Sequence, residues 1–201
     1  MSLLEKMQKV RVKQDGLLKQ RLSEFQVLKK ASSKKLFNEL CFCLLTANFN
    51  AERSIRIQKL IGNGFLELSQ EELSLRLKEL SHRFPNKRAE FIIGARKVIE
   101  QLKERISSLN EPELREWLVK NVKGLGMKEA SHFMRNIGFN NVAIIDFHIL
   151  DLLEREGIIK KPKVLNKNNY LLIEEQLKLL GSNLAELDLV LWFIETGRIL
   201  K

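Results

Sequence analysis

The sequence predicts an all-α protein. Apolar residues recur at three- and four-residue spacing along most of the chain, which is the periodicity of helices with one buried face. Only three of the 201 residues are proline, and no two neighbouring segments show the apolar–polar alternation that is typical of paired strands. The helices can therefore be placed one after another from their caps and breaks.

The first helices follow from apolar runs. A helix is predicted over 17–31, and a second over 36–48 is apolar on nearly all sides, so it belongs in the core. Asn50 is a suitable N-cap for a third helix that ends near Gly62 and Gly64.

The next stretch contains two helices separated by a loop. Ser69 and Glu72 have the spacing of a capping box and predict a helix over 71–80. Residues 81–87 interrupt the helical pattern and predict a loop. After it, one long helix is expected over 88–106.

The second half of the chain continues with shorter helices. Asn110, Pro112 and Glu113 form a helix start that leads into 114–122. The remaining helices are expected to end at Gly138, to cover 147–157, and to begin at Asn168 and Asn183 after a basic linker over 160–168.

The charge balance favours a polyanionic partner. The chain has 35 Lys+Arg against 25 Asp+Glu, which gives a formal net charge of +10. Because 44% of the residues are hydrophobic and 30% are charged, the chain can form a core, which argues against a disordered polycation.

Cysteine usage and the N-terminus narrow the class of protein further. Cys41 and Cys43 are too few for a disulfide framework or a four-cysteine metal site, so we expect two buried thiols in a reducing compartment. Residues 1–16 carry charges throughout and contain no long apolar stretch. We therefore expect neither a signal peptide nor a transmembrane helix, and a cytoplasmic protein.

The most informative segment is 117–138, which predicts helix, tight turn, helix. Gly124 and Gly126 flank Leu125, and glycines at that spacing allow positive φ angles and leave backbone N–H groups uncovered at the start of the second helix. Such groups can bind a phosphate, and Lys123 adds a charge that favours the nucleic-acid backbone. The pattern resembles the helix-hairpin-helix motif, which in many proteins only binds DNA.

Two residues indicate catalysis in addition to DNA binding. Lys128 lies in the first turn of the second hairpin helix, where the positive end of the helix dipole favours the neutral amine that a nucleophile needs. Asp146 follows 18 residues later, between an apolar run and a helix. On propensity alone Asp146 is an N-cap, and a carboxylate held there keeps a charge that can stabilise positive charge on a sugar.

These residues and their spacing resemble the helix-hairpin-helix DNA glycosylase/lyase superfamily. The match extends to 36–52, which is similar to that superfamily's central helix and turn, and to 191–201, which resembles the compact archaeal and bacterial 8-oxoguanine glycosylases. Lys123 stands where the superfamily usually has proline, and the four-cysteine cluster of endonuclease III is absent.

The resemblance implies an architecture and a partner. It implies one glycosylase unit over 1–201, made of two helical lobes with a DNA-binding cleft between them. The central lobe would cover approximately 33–110, the hairpin lobe approximately 111–156, and the terminal helices would complete both. The implied partner is duplex DNA containing 8-oxoguanine, bound by a monomer associated with the nucleoid, without membrane, metal or cofactor.

The resemblance also implies roles for individual residues. Lys128 would attack C1′ of the damaged nucleotide and form a Schiff base, and Asp146 would support base loss. The implied DNA contacts are Lys123, Gly124, Gly126, His148 and Asn48, of which Asn48 would fill the gap left by the extruded base. The implied base-recognition residues are Phe84 and Trp192, which would stack on the base, and Lys201, which would recognise its oxidised edge.

Several alternatives stay open at the level of sequence. Asn48 is equally suited to a helix C-cap, Trp192 to the core, and Lys201 to a solvated chain end unless Ile199 anchors it. A glycosylase/lyase for oxidised pyrimidines would share the lysine and the aspartate. A non-catalytic helix-hairpin-helix module would share the hairpin and the positive charge.

Overall fold

The computed structural model describes residues 1–201 and is all helical, as the sequence predicts. A short 3₁₀ helix (Arg96–Val98) accompanies twelve α-helices. The α-helices are α1 (Leu3–Lys29), α2 (Ser33–Thr46), α3 (Ala51–Ile61), α4 (Gly64–Glu67), α5 (Gln70–Glu79), α6 (Pro85–Ala95), α7 (Ile99–Ser108), α8 (Glu111–Asn121), α9 (Met127–Asn136), α10 (Phe147–Arg155), α11 (Lys167–Leu180) and α12 (Leu184–Thr196). None of these helices is long and apolar enough to cross a membrane.

Two helical segments differ most from the prediction. Helix α1 begins at Leu3 rather than near residue 17, with one non-helical residue at Gln14, because Leu3, Met7 and Val10 bury a stripe that continues the helix toward the N-terminus. The long helix expected over 88–106 begins earlier, at α6, and is broken by the 3₁₀ turn before α7. There the Arg96 guanidinium donates hydrogen bonds to two backbone carbonyls around α4, which holds the chain at the break.

Helix caps explain where most of the other helices begin. Asn50, Asn110 and Asn183 each accept a hydrogen bond from a backbone N–H in the first turn, as predicted. The expected cap at Asn168 is wrong. Asn166 accepts from the Asn169 N–H at 2.9 Å, so α11 begins two residues earlier and Asn168 lies inside it.

The chain divides into two compact units. One unit comprises residues 28–133, and the other comprises residues 1–27 and 134–201. The division falls within α9, whereas the expected lobes met near residue 110. The hairpin segment therefore belongs with the central helices, and the segment that carries Asp146 belongs with the N- and C-terminal helices.

Helix α2 forms the core of the unit comprising 28–133. It packs against α3, α6 and α7, and nearly every residue from Leu36 to Thr46 is buried, as the all-round apolar pattern predicts. Cys41 and Cys43 are fully buried free thiols. Burial raises the pKa of the Cys41 thiol well above its usual range, so this group stays protonated and unreactive.

The other unit positions the segment that precedes α10. The backbone from Val142 to Ile145 is buried but not helical, so its polar groups need partners. Tyr170 on α11 donates its hydroxyl to the Ala143 carbonyl at 2.7 Å and accepts from the Ile145 N–H at 3.2 Å. Glu174 accepts from the Ala143 N–H at 2.7 Å. Helix α11 thus fixes the chain immediately before Asp146.

Candidate functional site

The hairpin turn joins α8 to α9 through a glycine that the geometry requires. Gly124 has φ +94°, a left-handed conformation that other residues rarely adopt. Leu125 beside it is buried and donates its N–H to the Val122 carbonyl at 3.1 Å. The tight turn that the sequence predicts is confirmed, and the leucine between the two glycines is buried in it.

Gly126 differs from the prediction because its φ is not positive. It occupies the N-cap position of α9, and its N–H donates to Oε2 of Glu129 at 3.3 Å. A glutamate three residues into a helix commonly accepts from the N-cap amide, which satisfies a donor that the helix itself cannot. The amide that was expected to be uncovered is therefore covered by a side chain in the free protein.

Gly124→Ala is expected to destabilise the protein. A Cβ at position 124 would lie 2.3 Å from Cδ2 of Phe91, and the positive φ would add strain. Together these effects should lower the free energy of unfolding by roughly 2–5 kcal/mol. Thermal melting measures the loss, and Gly126→Ala is the control, since its Cβ would meet only the end of the Glu129 side chain, at 3.3 Å. Equal melting temperatures for the two variants would contradict the conclusion that position 124 requires glycine.

Lys128 lies in the first turn of α9 beside a carboxylate. Its Nζ is 3.6 Å from Oε1 of Glu129, and the two side chains are only 24% and 16% exposed. The same Glu129 carboxylate thus contacts both the Gly126 N–H and the lysine. Lys128 is therefore partly enclosed, and about a quarter of its side chain is open to solvent.

Lys123, unlike the partly enclosed Lys128, is exposed. Its side chain is 70% exposed, and its Nζ donates to Glu90 on α6 at 2.8 Å. Hydrogen bonds from Lys123 and Lys87 lower the pKa of the Glu90 carboxyl, so this carboxylate is ionised near neutral pH. Both lysines also lie over the Phe91 ring, at 5.9 and 5.0 Å. An exposed lysine of this kind can exchange its carboxylate for a phosphate at little cost.

Phe84 caps the start of α6 with its backbone and presents its ring to solvent. The side chain is 37% exposed, which is high for phenylalanine. The guanidinium groups of Arg83 and Arg88 lie 4.9 and 5.9 Å from the ring centroid. The ring is therefore a partly open aromatic surface flanked by cations, as a base-stacking residue requires.

Arg88 is a buried cation that the sequence did not single out. It is 6% exposed and donates from Nη2 to the Ala47 carbonyl at the C-terminal end of α2. Burial lowers the pKa of its guanidinium, and the charge of Glu129 opposes that shift. Arg88 thus connects the end of α2, the Phe84 ring and the carboxylate beside Lys128.

Asn48 lies immediately after the α2 C-cap with φ +56° and an exposed side chain. Asparagine is the residue other than glycine that best tolerates this conformation, and it is common at this position. The backbone of Asn48 therefore ends helix α2, which is the alternative role that the sequence left open. Its side chain faces solvent and keeps its amide available for another partner.

In the unit formed by the chain ends, Asp146 is the N-cap of α10. Its Oδ1 accepts from the Ile149 N–H at 3.0 Å, and its φ and ψ are extended. The cap leaves the second carboxylate oxygen with free lone pairs, since the side chain is only half-buried. Capping fixes the carboxylate and does not exclude a second role.

Three aromatic rings meet at the start of α10. His148 stacks on Phe147 with centroids 3.9 Å apart, and it meets Trp192 on α12 edge-on at 5.3 Å. Phe147 is 63% exposed, although it is a large apolar side chain. The structure thus brings together two predicted site residues, His148 and Trp192, and adds Phe147.

The structure decides between the two alternatives that the sequence left open for the last residue. Ile199 is buried, and Lys201 is half-buried rather than fully solvated. No group of three His, Cys, Asp or Glu side chains in residues 1–201 is arranged to hold a metal ion.

Sequence reasoning missed Glu129, Arg88 and His82. Glu129 could have been found, because its spacing from Gly126 follows the helix-capping rule. Arg88 and His82 could not, since they contact backbone carbonyls 41 and 37 residues away.

An all-α fold with a glycine hairpin and a lysine in the first turn of the following helix defines the helix-hairpin-helix class of DNA glycosylases. The family profile described as 8-oxoguanine DNA glycosylase matches residues 18–186. This chain belongs to the 8-oxoguanine DNA glycosylase family, which confirms the resemblance found in the sequence.

Relatives and solved structures match over nearly the full length. The 8-oxoguanine DNA glycosylase/AP lyase of Korarchaeum cryptofilum is 56% identical over 191 residues, which cover 92% of this chain and 90% of that protein. The crystal structure of the Methanocaldococcus jannaschii 8-oxoguanine glycosylase/lyase with 15mer DNA containing 8-oxoguanine has a TM-score of 0.96 at 46% identity, with 100% of both chains covered. The Thermotoga maritima 8-oxoguanine DNA glycosylase structure has a TM-score of 0.95 at 43% identity, covering 99% and 98%.

Proposed function

We propose that this protein excises 8-oxoguanine from duplex DNA and then nicks the abasic site by β-elimination, as a bifunctional DNA glycosylase/AP lyase. Membership of the 8-oxoguanine DNA glycosylase family carries the proposal. The position of Lys128 in the first turn of α9 supports it, because that residue offers a partly enclosed amine next to a hairpin suited to DNA phosphates.

The lysine supplies the covalent chemistry. The Nζ lone pair of Lys128 attacks C1′ of the damaged nucleotide, the glycosidic bond breaks, and the base leaves with a proton released by the attacking amine. The sugar ring opens to give an imine between Nζ and C1′. Loss of a C2′ proton then breaks the bond between C3′ and its oxygen, which cuts the strand on the 3′ side. Water hydrolyses the imine and restores the lysine.

Asp146 supports the first of these steps. Positive charge develops on the sugar as the base departs, and a fixed carboxylate stabilises that charge. The α10 cap at 3.0 Å holds the group in one orientation, so little reorganisation is needed during the reaction.

The hairpin and the end of α2 hold the duplex. The Gly124 and Gly126 amides and Lys123 contact phosphates, and His148 contacts a second phosphate. Glu129 occupies the Gly126 amide in the free protein, so a phosphate must displace this carboxylate on binding. Asn48 enters the gap left by the extruded base, and its exposed side chain suits that role.

Recognition of the oxidised base uses stacking and one hydrogen bond. Phe84 and Trp192 cover the faces of the flipped base, which replaces the stacking lost in the duplex. In 8-oxoguanine N7 carries a hydrogen, whereas in guanine N7 is an acceptor. A hydrogen-bond acceptor of Lys201 that faces N7 therefore selects the lesion.

The proposal extends to assembly and location. Every residue given a role comes from one chain, so a monomer is sufficient. A DNA substrate places the enzyme at the nucleoid in the cytoplasm.

Borohydride trapping tests the proposed function. Duplexes carrying 8-oxoguanine opposite cytosine, an oxidised pyrimidine, or no lesion are incubated with the protein and reduced. A covalent adduct on the 8-oxoguanine duplex alone is expected, because reduction converts the imine into a stable amine.

The other outcomes distinguish the alternatives. Trapping on the oxidised-pyrimidine duplex instead would support the lysine mechanism and show that the substrate is an oxidised pyrimidine rather than 8-oxoguanine. Absence of an adduct on any duplex, together with DNA binding that weakens steeply with salt, would indicate a non-catalytic helix-hairpin-helix module.

A further inference from the structure

His82 lies in a short segment that is fixed from both sides. The segment follows α5, whose end is closed by hydrogen bonds from the Ser81 N–H to the Lys78 carbonyl at 2.9 Å and from the His82 N–H to the Leu77 carbonyl at 2.9 Å. This arrangement is a Schellman motif, which usually has glycine at the left-handed position. Here Ser81 occupies it with φ +58°. This conformation is strained for serine, and the side chain that follows it, His82, is buried.

The imidazole of His82 makes three contacts at once. Its Nε2 lies 3.1 Å from the Leu45 carbonyl in the last turn of α2, and its Nδ1 accepts the Phe84 N–H at 3.1 Å. Its ring also stacks against Phe49, with centroids 4.1 Å apart. Because Nδ1 accepts, the proton of the neutral ring must be on Nε2, which then donates to Leu45.

We propose that His82, as a neutral imidazole, is a positioning residue that couples the base-stacking ring of Phe84 to the Asn48–Phe49 turn at the end of α2. The inference rests on the proposed function, in which Phe84 contacts the flipped base and Asn48 enters the gap. One small side chain then holds the two recognition elements in a fixed relation, so that the protein binds a lesion better than undamaged DNA.

Burial and charge keep the ring neutral. His82 is 4% exposed, and burial lowers the pKa of its imidazole below the usual value of 6.5. The charged group that faces it is Arg88, whose guanidinium also disfavours a proton on the ring. Protonation in acid would place a hydrogen on Nδ1 and break the bond from the Phe84 N–H.

The test compares the equilibrium affinities for lesion and undamaged duplexes, and every protein compared, including the one called wild type at position 82, carries Lys128→Gln so that the lesion is bound without being excised. We expect His82→Ala to lower the ratio of the two affinities about tenfold or more, because a ring displaced by about 1 Å loses much of its fit. His82→Asn should recover most of that ratio, since its Oδ1 stands where Nδ1 was and can accept the Phe84 N–H.

Two further readouts separate positioning from a purely structural role. In the wild type the affinity ratio should fall in acid, as the imidazole takes up a proton on Nδ1, whereas His82→Asn should show no such fall. Near pH 7, ¹⁵N NMR of the imidazole should show an unprotonated Nδ1 and a protonated Nε2. Leu102→Ala, which opens a cavity under α7 in the same unit, should lower the melting temperature and leave the ratio unchanged.

The outcomes are distinct. A wild-type affinity ratio in His82→Ala, with a melting temperature lowered as in Leu102→Ala, would show that His82 only stabilises the fold. An unprotonated Nε2 or a pH-independent wild-type ratio would also overturn the inference. Absence of any lesion preference in the wild type would overturn the proposed function and this inference with it.

Discussion

Lys128→Gln is expected to give no borohydride-trapped adduct on 8-oxoguanine duplex while still binding that duplex. Glutamine cannot form an imine, so the covalent step is lost completely rather than slowed. The Gly126 N–H still has Glu129 as its acceptor, and Lys128 lies at the helix surface, so the hairpin should keep its shape. Trapping followed by gel electrophoresis measures the adduct, and fluorescence anisotropy measures binding.

The matched control is Lys178→Gln, which makes the same chemical change on α11. Lys178 is exposed and paired only with Glu175 on its own helix, so its loss should leave trapping at the wild-type level. If Lys128→Gln still formed the adduct, another amine would be the nucleophile and the assignment to α9 would be wrong. Loss of both adduct and binding would contradict the expectation that Lys128 serves the covalent step alone, and would show that DNA binding depends on it.

Most of the helix caps were predicted correctly because each depends on residues that are close together in the sequence. The caps at Asn50, Ser69, Asn110 and Asn183 depend on residues within one turn, and each forms as expected. The same locality explains the error at Asn168, because Asn166, Asn168 and Asn169 lie close together at the start of α11 and the local capping rule does not distinguish them.

Distant contacts account for what the sequence could not predict. The 3₁₀ break before α7 depends on Arg96 reaching carbonyls about 30 residues away, which no local pattern encodes. Phe84 could be singled out by resemblance, but the groups that surround it could not. Arg88 and His82 satisfy carbonyls at the end of α2, so their importance follows only from the folded chain.

For the hairpin, the sequence predicted the tight turn correctly but was wrong about the Gly126 amide. Glycines at 124 and 126 predicted a tight turn with exposed amides. Gly124 has the expected positive φ, whereas the Gly126 amide is taken by Glu129. The reason is physical, since a helix N-terminus without a ligand recruits an available carboxylate. The free protein thus holds an internal anion where the proposed function places a phosphate.

Asp146→Asn is expected to slow base excision by roughly 10²–10³ with little change in stability. Asparagine is as good an N-cap as aspartate, so it should keep the bond from the Ile149 N–H while removing the charge. The free energy of unfolding should change by less than about 1 kcal/mol, through the lost interaction with the helix dipole. Single-turnover excision and thermal melting measure the two effects separately.

A second substitution at the same position separates capping from catalysis. Asp146→Ala removes both the cap and the charge, so it should slow excision as much as Asp146→Asn and also lower stability by about 1 kcal/mol. In a protein of this size that is about 2–4 °C in melting temperature. If excision tracked the melting temperature, so that Asp146→Asn were nearly as active as the wild type, the carboxylate would be a helix cap alone. If both variants lose excision equally while only Asp146→Ala loses stability, the charge serves the reaction and the cap serves the fold.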